Sequence, residues 1–209
     1  MKTLLFCTCL LNETSIFQYT EWWNYYRRNF PGVDMIMVND GPIEKKILQK
    51  FQEVIKSDFK ESDIHVFETK LGRNSHYHWG WWRSFKYALN YGKTKYNKIL
   101  HIEYDAIILS TRLFDHLKNH SSGWSCLFTN NYGFGESAIQ IINKDSYDLI
   151  DNLPDDFDFH TIAELVIPFR IDKSFIGDRY GEMGNIPKHK IDYACQWDWN
   201  WCIEKEWII

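Results

Sequence analysis

The 209-residue chain lacks any apolar run approaching the ~18 residues that suggest a membrane span. It also lacks an excess of basic charge. Lys and Arg number 24 against 28 Asp and Glu, net -4, which leaves no field to draw nucleic acid. No repeat, low-complexity tract or interdomain linker interrupts it, so one domain over residues 1–209 is expected. The apolar finish "EKEWII" leaves room for that domain to belong to a longer polypeptide. Its five cysteines, Cys7, Cys9, Cys126, Cys195 and Cys202, have neither zinc-type nor redox spacing and read as reduced, buried thiols. The start, "MKTLLFCTCLLNETS", has no small-x-small cleavage site and passes straight into a helix-start signal. It reads as a first buried strand of a soluble, cytoplasmic protein.

Aromatic residues, by contrast, are plentiful: 17% of the chain, with 10 Trp. Such side chains fill cores, and they also make flat platforms for sugar rings or bases.

Periodicity predicts alternating strands and helices. Strands are expected at Thr3–Leu10, Val33–Val38 and Ile64–Glu68, then Lys98–Leu109, Ser125–Thr129 and Ser137–Asn143. Between them fall helices from about Asn12 to Phe30, Ile43 to Lys56, His78 to Tyr91 and Thr111 to Asn119. A helix over Asp145–Leu153 follows, and a short one near Thr161–Val166. The rest reads as irregular. This order implies an α/β fold whose open, largely parallel sheet is covered on both faces. Ligands bind beyond the carboxyl ends of such strands. That places "NDGP" (39–42), "LGRNS" (71–75) and the end of "ILHIEYD" at one rim.

The stretch "KILHIEYDAIIL" (98–109) puts His101, Glu103 and Asp105 at alternate positions of one apolar strand, hence on one face. Adjacent carboxylates repel unless a cation lies between them or one is protonated. Oxygen ligands suit Mg²⁺ or Mn²⁺, which complete their shells with water and phosphate. The alternative is a salt bridge or plain solvation. His101, deeper in the strand, reads as a hydrogen-bonded core histidine. In "SHYHWGWWRSF" (75–85), the Trp79, Trp81 and Trp82 cluster offers a stacking surface, with at least one ring in the core.

This order of strands, with "MIMVNDGP", the "LGRN" loop and then "KILHIEYD", resembles the GT-A fold glycosyltransferases that use nucleotide sugars. The resemblance covers residues 1 to about 145. It implies a Rossmann-like single domain with a nucleotide-binding part over about 1–110 and an acceptor part over about 111–209. It further implies a nucleoside diphosphate sugar donor, UDP favoured, with Mn²⁺ or Mg²⁺, and a glycan or other hydroxyl acceptor. In that family an Asp-x-Asp motif holds the cation, and here Glu103 stands in place of the first Asp.

Carried over by position, Asp105 is the first metal ligand, with Glu103 and a C-terminal His189 beside it. Asn39 and Asp40 would meet the nucleoside. Arg73 would reach the diphosphate, with Asn74 and Ser75 as further candidates, and Lys190 would offset phosphate charge. A general base of an inverting member would come from Glu164, then Asp158 or Glu136. Two other functions stay open at this point. A sugar-phosphate nucleotidyltransferase usually has a Gly-rich basic loop after its first strand, and "CLLNETS" has neither Gly nor Lys. A noncatalytic carbohydrate-binding module would not need Glu103 and Asp105 together.

Overall fold

A computed structural model describes residues 1–55, 58–72, 79–129, 133–155, 162–179, 190–196 and 199–204. Seven strands form the main sheet: β1 (Thr3–Cys9), β2 (Asp34–Asn39), β3 (Ile64–Val66), β4 (Lys98–Ile102), β6 (Trp124–Phe128), β7 (Gly135–Asn143) and β8 (Arg170–Asp172). Their order is β3-β2-β1-β4-β7-β6-β8, and only β7 runs against the others. A second sheet, β5-β10-β9, joins β5 (Ala106–Ile108), β9 (Gly177–Arg179) and β10 (Tyr193–Cys195).

Each face of the main sheet buries alternate strand residues, as period-two geometry requires. Leu5, Cys7, Met35, Met37, Leu100 and Ile141 face a layer that includes α1 (Ile16–Asn29) and α2 (Lys45–Val54). Leu4, Phe6, Ile36, Val38, Ile99 and Ile142 face α3 (Trp79–Lys93), which contributes Trp82, Phe85, Ala88 and Leu89. Full burial of each such large aliphatic or Phe side chain contributes about 1.5–3 kcal/mol before entropy is counted. The helix expected at 111–119 forms as α4 (Thr111–Asn119), with Ser110 accepting a hydrogen bond from Leu113 N as its cap.

Three expectations change. The strand drawn over Lys98–Leu109 is two strands. β4 stops at Ile102, Ala106 N donates to Glu103 O (3.1 Å) across a turn, and β5 leaves to pair with β10. Aromatic tips of α1 supply the partners the main sheet no longer provides. Trp22 Nε1 donates to Ile102 O (3.0 Å), and Tyr26 Oη donates to Ala106 O (2.7 Å). Tyr25 Oη donates to Ile108 O. Second, the helix expected over 145–153 shortens to a single turn of 3-10 helix and α5 (Asp148–Asp151). Third, the C-terminal part that read as irregular carries β8, β9, β10 and α7 (Trp199–Glu204), besides the short α6 (Ala163–Val166). No described helix is long and apolar enough to cross a membrane.

Candidate active site

The carboxyl ends of β1, β2 and β4 open on a cleft of about 240 Å³. Its walls include Thr8, Tyr19, Asp40, Trp81, Ser84, Glu103 and Tyr104. Thr8, near the end of a strand whose other hydroxyl, Thr3, stands at its start, is 5% exposed. Its hydroxyl sits 3.0 Å from both oxygens of Glu103. Trp81, on the first turn of α3, donates its indole N–H to Glu103 Oε1. His101 Nε2 lies 2.7 Å from the same oxygen. Glu103 is thus buried and held by groups from three elements.

Asp105, partly buried in the turn after Glu103, has its carboxyl pushed up to about 7. Burial is the main cause, followed by the negative charges of Glu103 and Glu136, and Arg179 acts the other way. Glu136, 1% exposed on β7, is likewise pushed up to about 7 by burial, against the pull of Arg179 and of the Ala138 N–H. Arg179 on β9 donates to its Oε2 at 3.0 Å. The charges of Glu103 and Glu136 thus both bear on Asp105, in the turn between β4 and β5. Among the described residues no three His, Cys, Asp or Glu are arranged as a complete cation cage. A hard cation that keeps water and phosphate oxygens needs only one or two protein carboxylates.

Asp40 lies in the cleft wall, but its oxygens serve the protein first. They accept Leu71 N (3.2 Å) and Gly72 N (2.7 Å), and Arg83 donates to Oδ1. This shapes the loop before α3. Asn39 does not reach the cleft: fully buried, it accepts Leu11 N at 2.7 Å and donates to Gly41 O at 2.7 Å. It lies two residues after Met37 and so shares that residue's face of β2.

Glu164, at the start of α6, is partly exposed and accepts the Ser137 hydroxyl (2.6 Å). Lys190 is exposed, three residues before β10. Arg73, Asn74, Ser75, Asp158 and His189 lie outside the described residues.

Sequence reasoning missed Thr8, Ser84 and Arg179. Thr8 had a signal, as the one hydroxyl near the end of a buried strand. Ser84, 1% exposed, lines the cleft with a hydroxyl that has no hydrogen-bond partner among the described residues. Arg179 sits in a three-residue strand without usable periodicity. Of the tryptophan cluster, Trp82 is core and Trp81 faces the cleft.

By sequence, no protein-family model and no curated protein matches the chain. Solved structures do match in fold. The galactosyltransferase LgtC, in complex with donor and acceptor sugar analogues, aligns with a TM-score of 0.58 at 7% identity, over 93% of this chain and 86% of that one. A glycosyltransferase involved in glycosylation of the major capsid of PBCV-1 aligns with a TM-score of 0.55 at 9% identity, over 94% and 93%. The mannosyltransferase PcManGT from Pyrobaculum calidifontis, in complex with GDP-Man and Mn²⁺, aligns at 0.50 and 10% identity, over 82% of this chain and 54% of that one. With the strand order and cleft described above, these matches give the chain the GT-A fold.

Proposed function

We propose that the chain is a metal-dependent glycosyltransferase. It moves a sugar from a nucleoside diphosphate sugar, UDP favoured, to a hydroxyl of a glycan acceptor. The observation that carries this reading is Glu103 in a cleft walled by Tyr19, Trp81 and Tyr104, with Asp105 two residues on, at the ligand rim of a GT-A sheet. Residues 1–110 supply the nucleotide half of that arrangement and 111–209 the acceptor half.

When bound, Mn²⁺ or Mg²⁺ supplies positive charge to the leaving diphosphate, the main electrostatic demand of this chemistry. Asp105 holds it, with His189 as a further ligand, and Arg73 and Lys190 add charge for the phosphates. Glu103, already occupied by three donors, orients the ligand more than it neutralises the cation. Asp40 and Ser84 face the nucleoside. Glu164, partly exposed among the expected carboxylates, keeps the role of general base for an inverting reaction. Glu136, enclosed and tied to Arg179, shapes the wall beside Asp105.

The test is thermal stabilisation by UDP with Mn²⁺, in wild type and Asp105→Ala. A nucleotide present at 100 times its Kd stabilises by about 2.7 kcal/mol. Wild type should shift and the variant should not. No shift in wild type with any nucleoside diphosphate would sink the reading. A screen of UDP-sugar hydrolysis would then identify the donor.

A further inference from the structure

Behind Glu103 a line of hydrogen bonds runs away from the cleft. Trp124 Nε1 donates to Gln140 Oε1 (2.9 Å). Gln140 Nε2 donates to Ser137 O (2.6 Å) and faces His101 Nδ1 (3.2 Å). His101 Nε2 then meets Glu103 Oε1 (2.7 Å). All three supporting side chains are buried: Gln140 and His101 are 0% exposed and Trp124 is 2%. Neither Gln140 nor Trp124 lines the cleft.

The chemistry of the two ends sets every hydrogen in this line. An indole N–H can only donate and a backbone carbonyl can only accept. The Gln140 amide is therefore fixed, oxygen toward Trp124 and nitrogen toward Ser137. His101 Nδ1 meets that nitrogen and must accept. The ring hydrogen then sits on Nε2 and points at Glu103. Phe6, stacked on the imidazole at 4.6 Å, and Phe85, edge-on at 4.9 Å, block the ring from turning. With His101 and Trp81 both donating to Oε1, that oxygen is filled. Oε2, shared with Thr8, keeps room for one more donor.

We propose that Gln140 and Trp124 are positioning residues. They lock His101 as its Nε2–H tautomer, and so leave Glu103 as a one-sided acceptor for a hydroxyl or bound water of the ligand. The ligand half of this proposal rests on the nucleotide-sugar reading; the tautomer half does not.

Histidine-labelled protein, studied by long-range ¹H–¹⁵N spectra without ligand, reads the tautomer directly. The His101 signals are assigned by their loss in His101→Asn. Wild type should show hydrogen on Nε2. Gln140→Glu, which turns an oxygen toward Nδ1, should place hydrogen there. It should also weaken UDP–Mn²⁺ binding, measured by calorimetry, about tenfold, the worth of one hydrogen bond. Trp124→Phe keeps most of the ring volume and removes one of the amide's two anchors, leaving Ser137 O as the other. It should give mixed tautomers and a smaller loss, and serves should Gln140→Glu fail to fold. Hydrogen on Nδ1 in wild type, or an unaltered His101 spectrum in both variants, overturns the lock. An altered tautomer with unaltered UDP–Mn²⁺ binding overturns the positioning role. A wild type that shows Nε2–H but binds no nucleoside diphosphate supports the lock and overturns the nucleotide reading instead.

Discussion

Arg179 Nη1 donates to Glu136 Oε2 across 3.0 Å, joining β9 of the small sheet to β7 of the large one. The carboxylate is enclosed, while the guanidinium side chain stays 14% exposed. Loss of either partner therefore has unequal effects. Arg179→Met leaves a buried carboxyl without its cation and should cost about 1–3 kcal/mol, limited by uptake of a proton. Glu136→Gln leaves a guanidinium that water can reach and should cost less. Urea unfolding of the two variants would show the order, and equal losses would argue against an enclosed pair.

Asp105 and Glu136 also make stability depend on pH. Each carboxyl is pushed up to about 7 in the folded chain, whereas unfolded carboxyls titrate near 4. The folded state thus binds more protons between those values. The stability these groups contribute is full below about pH 4 and is lost as pH rises through 7. From pH 5.5 to 8.5 in EDTA, each group should cost about 2 kcal/mol. Asp105→Asn should lack its share and melt a few degrees above wild type at pH 8.5, yet lose UDP–Mn²⁺ binding. Identical pH profiles for variant and wild type would contradict this.

Gly80 opens α3 against Asp40. A Cβ there would lie 2.0 Å from Asp40 Oδ2, so Gly80→Ala must push the carboxylate out of its place. The bonds to Leu71 N and Gly72 N would go with it. Alanine favours the helix itself by up to about 1 kcal/mol, so the expected result is a folded protein with weakened nucleotide binding. Unaltered UDP–Mn²⁺ affinity would remove Asp40 from the site.

Gly177 tests the small sheet in the same way. Its Cβ would fall 2.0 Å from Tyr193 Cζ, while the Tyr193 hydroxyl is anchored on Phe128 O at 2.8 Å. Gly177→Ala should destabilise by about 1–3 kcal/mol through overpacking. Adding Tyr193→Leu should make that second step cheaper than in wild type. A double-mutant cycle measures the coupling, and additive losses would mean the two do not touch.

Legibility in the sequence followed the range of the contacts. The order of elements up to Asn143 was readable because period-two and helical patterns are local, and the helix over 111–119 matched residue for residue. The rim position of Glu103 and Asp105 was readable because both follow an apolar strand. Strands β8, β9 and β10 were not, since three residues are too few to display a period. The single strand drawn through Glu103 and Asp105 also failed. Nothing local in "HIEYDAII" signals that Tyr25 and Tyr26 will take the carbonyls of β5 from about 80 residues away.

By itself the sequence determined an α/β domain with two acids at its ligand rim, because alternation and capping act between near neighbours. Tertiary structure decided what those acids are. Thr8, Trp81 and His101 converge on Glu103 from three elements, and the charges of Glu136 and Arg179 bear on Asp105 from β7 and β9. Those contacts cross up to 95 residues, and burial, which shifts the carboxyls, exists only once the sheets have closed.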